Sequence, residues 1–108
     1  MYQLAAYLRE REGVESLIKD EGFATYIITG EECYIRDIWV HRDFRKTNIA
    51  SRMADEISEI AKKFGCTHLT GSVCPTAKAS TDSLRVLLAY GFQLHSSAPN
   101  IIFFRKDF

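Results

Sequence analysis

The chain has 108 residues, of which 46% are hydrophobic and 12% aromatic, so we expect one globular domain over residues 1–108 rather than a disordered polymer. Fourteen basic and fourteen acidic side chains cancel, which argues against nucleic acid or an anionic membrane as a general partner. No apolar run reaches the ~20 residues that span a bilayer, and the three cysteines lack metal-site spacing, so the sequence predicts a cytoplasmic protein with reduced thiols and no metal.

The first part of the chain predicts two short helices and a hairpin. Residues 2–11 place apolar side chains on one side and charges on the other, and a glycine separates them from a second helical turn at 14–19. Residues 23–29 and 33–40 are rich in aromatic and β-branched residues, and Gly30 lies in the tight connection between them. These two runs are therefore expected to pair as antiparallel strands.

The second strand leads through a basic loop into an amphipathic helix. Apolar residues recur at helical spacing from Ile49 to Phe64, and the glycine that follows suits a left-handed cap. The first N–H groups of a helix lack intrahelical partners and lie at the positive end of its dipole, so they stabilise a phosphate. Arg45 and Lys46 add positive charge. The segment therefore predicts an anion site.

The remaining sequence predicts a strand, a helix and a second hairpin. Residues 67–73 have strand character, 81–89 suit a short helix, and 93–97 and 101–105 flank an Ala-Pro-Asn turn. Parallel pairing requires a crossover, and the long helix supplies the one that we expect. The predicted fold class is therefore α+β (α/β), with a mixed, mainly antiparallel sheet flanked by helices.

Residues 40–50 resemble the acyl-CoA signature of the GNAT superfamily of N-acyltransferases. In that signature a strand ending in Val leads through a short loop to Arg/Gln-x-x-Gly-x-Gly/Ala at the start of a helix. Arg45, Ile49 and Ala50 fit the pattern, and Asn48 stands at its middle glycine. Asparagine is among the better substitutes for glycine in left-handed geometry, although its side chain needs space.

The resemblance also covers the order of the later elements, with Gly-Phe after the last helix, and extends over about residues 23–108. It implies a GNAT-like sheet in which a splayed strand pair follows the signature strand. It further implies acetyl-CoA as the acyl donor, with its pantetheine arm at the strand end and its pyrophosphate on the loop amides. The cofactor-binding residues that it implies are Ile38, Val40, Arg45, Lys46, Thr47, Asn48, Ile49 and Ala50.

Transfer of an acetyl group to an amine requires a deprotonated amine, a stabilised oxyanion and a proton for the departing thiolate. In the superfamily a tyrosine four residues before the Gly of Gly-Phe commonly supplies that proton, and this chain has Leu87 there. Tyr90 lies one helical turn further and is either a substitute acid or a packed aromatic. Asp37 is the only acid inside the two central strands, and it is either the base or an ion-pair partner of Arg36.

These features predict an acetyl-CoA-dependent N-acetyltransferase that acts by direct transfer on an unidentified primary amine of a small molecule or a protein. The alternative, which Asn48 and Leu87 favour, is a degenerate GNAT-fold protein that acts through CoA or protein binding without catalysis. The usual first strand is not evident in the short N-terminal part. The acceptor cleft is therefore expected either to be open or to be completed by a second copy in a homodimer.

Overall fold

The computed structural model describes residues 2–45, 47–76 and 80–108. Within these ranges the chain forms three α-helices and six strands, and a 3-10 turn at Arg42–Phe44 precedes the second helix. The elements in chain order are α1 (Tyr2–Glu12), β1 (Glu15–Lys19), β2 (Gly22–Thr29), β3 (Glu32–Val40), α2 (Ile49–Lys63), β4 (His68–Val73), α3 (Ser80–Tyr90), β5 (Gln93–Ala98) and β6 (Ile101–Asp107). The predicted α+β class is confirmed.

The six strands form one sheet in the order β1-β2-β3-β4-β6-β5. All neighbouring strands are antiparallel except β3 and β4, which are parallel and lie on either side of the α2 crossover. Their ladder has three pairs, from Glu32↔His68 to Tyr34↔Thr70, although both strands continue beyond it. The two strands therefore separate after Tyr34, and the expected splayed pair is confirmed.

One predicted element is wrong. The expected helical turn at residues 14–19 is instead the edge strand β1, in which Glu15 pairs with Tyr26 and Lys19 with Gly22 of β2. A segment of five or six residues is too short for its periodicity to distinguish helix from strand. The strand forms because the free edge of β2 supplies hydrogen bonds, whereas an isolated helical turn is costly to nucleate.

The hydrophobic core lies between one face of the sheet and the helices α2 and α3. Met53, Ile57 and Ala61 of α2 are at most 1% exposed and pack with Cys33 and Leu69 of the central strands. Their spacing of three or four residues is the period predicted for a helix with one apolar face. The core therefore fixes α2, and with it the loop before α2, against the centre of the sheet.

Helix α1 packs on the sheet more loosely. Between Gln3 and Glu12 only Ala5 and Leu8 are partly buried, and the other side chains of α1 are exposed. Ion pairs connect α1 to the sheet, including Arg9 with Glu15 at 2.6 Å. None of the helices within the described ranges is long and apolar enough to span a membrane.

Candidate functional site

An additional residue in β3 determines which side chains face each side of the sheet. Thr25 of β2 pairs with Asp37, and the next residue of β2 pairs with Ile35, so Arg36 has no partner in β2. This is the geometry of a β-bulge, which reverses the alternation of side chains along a strand. Ile35 before the bulge and Ile38 after it both pack against the core. Asp37 consequently points to the opposite face, on which α1 lies.

A narrow apolar cleft lies on the core side, where β3 and β4 separate. It encloses about 30 Å³, close to the space that one water molecule occupies. The start of α2 forms one wall and α3 the other. The residues that line the cleft are Ile35, Ile38, Ala50, Ser51, Ala54, Val86, Leu87, Tyr90 and Phe92.

Asn48 has the left-handed backbone conformation that a glycine would adopt at this position, with φ 65° and ψ 13°. Its carbonyl accepts the first hydrogen bond of α2 from the N–H of Arg52 at 3.0 Å, and its side chain caps no N–H group. The N–H groups of the three residues between them have no intrahelical acceptor. The start of α2 therefore presents backbone donors beside the cleft, as an anion site requires.

Two side chains of the preceding loop bond to the loop's own backbone. Arg45 Nε donates to the carbonyl of Val40 at 2.9 Å, and Thr47 Oγ1 donates to the carbonyl of Phe44. Both side chains are exposed. Arg45 thus connects the loop to the end of β3, and its exposed guanidinium can still contact a ligand at the surface. Lys46, the other predicted basic residue, lies outside the described residues.

Tyr90 extends from α3 to α2. Its hydroxyl donates to Asp55 Oδ1 at 2.6 Å and lies 3.4 Å from Ser58 Oγ. Desolvation raises the pKa of Tyr90, and the hydrogen bond to the Asp55 carboxylate raises this pKa further. Lys106 Nζ lies 4.6 Å from the centre of the tyrosine ring. The phenol therefore keeps its proton at neutral pH and is oriented by a carboxylate.

Leu87 occupies the position at which the superfamily resemblance implies a tyrosine, and it packs against β4. A Cβ atom on Gly71 would lie 3.2 Å from Leu87 Cδ2, so the glycine provides space for this leucine. Leu87 presents only apolar surface to the cleft. Of the described residues that line the cleft, only Ser51 and Tyr90 carry a hydroxyl group.

A second and wider groove lies on the opposite face, between α1 and strands β2 and β3. It encloses about 540 Å³, a size within the ~300–1,000 Å³ that is common for small-molecule sites. Ile38 lines both the groove and the cleft, so the two cavities approach each other across β3. The residues that line the groove are Leu4, Leu8, Phe23, Thr25, Arg36, Asp37, Ile38 and Trp39.

Asp37 provides the carboxylate of this groove. Its Oδ2 accepts from Thr25 Oγ1 at 2.6 Å and from Arg36 Nε at 3.0 Å. Arg36 also contacts Glu12, at the end of α1, at 3.3 Å. Both hydrogen bonds to Asp37 fall on one oxygen, and the side chain is 47% exposed. The carboxylate is therefore oriented by its neighbours and accessible from the groove.

No local pattern in the sequence predicts the groove. Its aromatic and aliphatic walls come from three elements, and their proximity depends on the packing of α1 and on the bulge at Arg36. The contact of Tyr90 with Asp55 was not predicted either, because it connects residues 35 positions apart. The spacing of four between Ala50 and Ala54 could have predicted one wall of the cleft, because it places both residues on one face of α2.

Comparison with known proteins relates this sequence and this fold to acetyltransferases. The acetyltransferase (GNAT) family profile matches residues 1–92. Among the curated proteins, no sequence matches this chain significantly.

Several solved structures have the same fold. PaiA N-acetyltransferase from Thermoplasma acidophilum, in complex with coenzyme A, is 15% identical to this chain and superposes with a TM-score of 0.79. The match covers 98% of this chain and 69% of the PaiA chain. An acetyltransferase from Bacillus subtilis in complex with CoA is 17% identical with a TM-score of 0.71, covering 98% and 83%. The IAA acetyltransferase from Bacillus cereus is 16% identical with a TM-score of 0.72, covering 99% and 84%. At these identities the likeness shows a shared fold.

Proposed function

Because the chain belongs to the acetyltransferase (GNAT) family, we propose that it is an acetyl-CoA-dependent N-acetyltransferase that transfers the acetyl group directly to a primary amine. The observation that carries this proposal is the meeting of two cavities at Ile38, with the cleft beside the start of α2 on one face and the groove with Asp37 on the other. A thioester in the cleft and an amine in the groove would meet where β3 and β4 separate.

The start of α2 is the proposed site for the pyrophosphate of acetyl-CoA. The N–H groups of Ile49 and Ala50 follow the left-handed Asn48 and lie at the positive end of the helix dipole. Arg45, Lys46 and Thr47 belong to the same loop. The pantetheine arm is proposed to follow β3 past Ile38 towards Val40, since the ladder with β4 ends at Tyr34.

The residues present fit this cofactor only if the cleft widens, since its volume is about 30 Å³. Val86 and Leu87 of α3 line the wall that faces α2 and β3, and we expect these side chains to move when the arm binds. Leu84, Leu87 and Tyr90 of α3 are only partly buried against the core, whereas the α2 residues Met53, Ile57 and Ala61 are fully buried, so we expect α3 rather than α2 to move.

We assign Asp37 as the base and Tyr90 as a candidate acid. Asp37 removes a proton from the amine, whose nitrogen forms a bond to the thioester carbon while the carbon–sulfur bond breaks and the thiolate leaves. The thiolate then takes a proton from Tyr90 or from water. Since a thiol has an ordinary pKa of ~8.5 and the pKa of Tyr90 is raised above 10.0, the tyrosine releases its proton less readily than the product thiol does. At neutral pH a thiol with this pKa is mostly protonated and exchanges its proton with the solvent, so the departing thiolate does not depend on Tyr90 for its proton. Tyr90 is therefore a helpful rather than an essential donor.

A second candidate is a GNAT-fold protein that binds CoA or a protein partner without catalysis. Two observations favour it. Leu87 stands where the superfamily resemblance implies the acid, and the cleft is narrow.

Isothermal titration calorimetry with acetyl-CoA tests the first step of the proposal. Arg45→Ala should weaken binding by about 1 to 2 kcal/mol, the contribution of a charge-assisted hydrogen bond. Arg105→Ala is the matched control, because Arg105 is also exposed in part and pairs with Asp107 on β6, outside the cleft. Absence of binding at millimolar acetyl-CoA would contradict the proposal.

A second experiment separates the two candidate functions. The wild-type protein should release free CoA thiol and form acetylated product with at least one member of a broad panel of primary amines. Leu87→Tyr restores the hydroxyl at the superfamily position and should raise turnover by about 10-fold, the low end of general acid catalysis. A folded Leu87→Tyr protein that binds acetyl-CoA but acetylates no amine would establish the non-catalytic alternative.

We further propose that residues 1–108 act as one domain in the cytoplasm, since the buried Cys33 and Cys66 are thiols, as in a reducing compartment. The groove is open along α1, so an amine can enter it directly, and a homodimer that covers it is the alternative. Sedimentation equilibrium with and without acetyl-CoA distinguishes the two arrangements.

A further inference from the structure

The groove on the α1 face combines exposed apolar surface with a carboxylate. Trp39 is 44% exposed, and its ring centre lies 5.8 Å from that of Phe23. Leu4, which is 39% exposed, and Leu8 line the groove from α1. The groove thus places aromatic and aliphatic side chains around the carboxylate of Asp37.

The charges at this groove favour a cation. Asp37 and Arg36 are the two charged residues in its described lining, and Arg36 is shared between Asp37 and Glu12. Both hydrogen bonds to Asp37 fall on Oδ2, so the Oδ1 atom of this exposed carboxylate can meet a cation from the groove. An ammonium group near Asp37 would therefore be attracted.

Asp37 and Trp39 lie two residues apart on the same face of β3. Along a strand this spacing corresponds to about 7 Å, and a short carbon linker spans it between a ring and an ammonium group. An aromatic ring packed on Trp39 and Leu4 gains the stacking and apolar contacts that aromatic side chains offer. A ligand with both parts uses the whole groove, whereas a purely aliphatic amine uses only Asp37.

We infer that the amine acceptor carries an aromatic ring one or two carbons from its primary amino group, with the ring held by Trp39, Phe23 and Leu4 and the ammonium by Asp37. This inference rests on the proposed acetyl transfer, because it names the amine that this groove delivers to the cleft at Ile38. It explains why a groove beside a catalytic carboxylate is lined by exposed aromatic and aliphatic side chains.

Trp39 makes the inference testable without catalysis, because it is the single tryptophan of the chain. Its fluorescence, excited at wavelengths where phenyl groups do not absorb, reports binding in the groove directly. 2-Phenylethylamine should change this fluorescence saturably, with a Kd of about 1 mM or below. n-Butylamine, which lacks the ring, and 2-phenylethanol, which lacks the charge, should each bind at least about 10-fold more weakly.

Two variants assign the parts of the ligand to residues. Asp37→Asn should weaken 2-phenylethylamine about 10-fold and change 2-phenylethanol less than about 2-fold, because only the charge has been removed. Leu4→Ala should weaken both ligands. Tyr7→Ala is its matched control, since Tyr7 is exposed on the same helix but does not line the groove. Circular dichroism checks that each variant is folded.

The outcomes separate this inference from the proposed function. If amines are acetylated but 2-phenylethylamine does not perturb Trp39, or binds no better than n-butylamine or spermidine, the inference is wrong and the acetyltransferase proposal stands. If 2-phenylethylamine binds as expected and is not acetylated in the presence of acetyl-CoA, the groove's preference stands and the proposed function fails. Equal effects of Leu4→Ala and Tyr7→Ala would also overturn the inference.

Discussion

Replacement of Asn48 tests whether this residue serves the loop through its backbone or through its side chain. Its φ of 65° and ψ of 13° lie in the left-handed region, and its side chain makes no capping hydrogen bond. A residue with a Cβ and no local hydrogen-bonding group pays about 1–2 kcal/mol in this region. Asn48→Ala should therefore lower the free energy of unfolding by about 1 kcal/mol. Asn48→Gly should change it little, since relief of the backbone strain offsets the greater freedom of glycine in the unfolded chain.

Thermal denaturation measures the effect, because 1 kcal/mol corresponds to about 4–8 °C in the Tm of a domain of this size. Asn100 is the matched control, since it has a φ of 63° in the turn between β5 and β6. Asn100→Ala should lose at least as much stability as Asn48→Ala. It removes the same left-handed residue and also the Oδ1 atom that accepts from Thr76 Oγ1 at 2.8 Å.

Affinity for acetyl-CoA, measured by calorimetry, separates the two asparagines. Asn48→Ala should weaken binding, because the backbone at the start of α2 must leave its left-handed conformation or strain to keep it. Asn48→Gly should leave affinity unchanged or raise it, and Asn100→Ala should leave it unchanged. A large loss of affinity in Asn48→Gly with normal stability would refute this reasoning, because the asparagine side chain itself would then contact the cofactor.

Four further substitutions test the packing and the ionisable groups. Gly22→Ala should lower the free energy of unfolding in urea by at least about 2 kcal/mol, because its Cβ would lie 2.1 Å from the carbonyl oxygen of Trp39. Gly71→Ala should lower it less, because the new Cβ would lie 3.2 Å from a side-chain methyl of Leu87. Equal losses in the two variants would contradict this reasoning. Tyr90→Phe should lower the free energy of unfolding by about 1 kcal/mol, because the hydrogen bond to Asp55 is lost. It should leave the affinity for acetyl-CoA nearly unchanged and reduce turnover by no more than about 10-fold. Unchanged turnover would exclude the tyrosine from the reaction. Burial raises the pKa of Cys33 from 9.0 to about 12, so its neutral form contributes stability that is complete below pH 9 and is lost as the pH rises towards 12. Cys33→Ala should therefore flatten the pH dependence of the urea midpoint between pH 9 and 11, and an unchanged slope would show that this thiol is not responsible.

Local sequence was sufficient for the strand, loop and helix that form the proposed phosphate site. The apolar period of α2 predicted its buried face, and the tolerance of asparagine for left-handed geometry matched the conformation of Asn48. These features depend on residues close together in the chain, so neighbouring sequence contains the information. The parallel pairing of β3 with β4 was predictable for a related reason, since a helical crossover permits it.

Long-range packing decided the rest. Residues 15–19 pair as a strand because β2 offers them a free edge, and their own pattern does not distinguish the alternatives. The bulge at Arg36 arises from the pairing of β2 with β3, and it turns Asp37 away from the core. Tyr90 finds Asp55 only because α3 packs on α2, across 35 positions of sequence. The sequence by itself thus determined the family and the loop that its local pattern encodes, whereas the position of each polar group relative to the two cavities depended on contacts between distant segments, whose free energies no local pattern records.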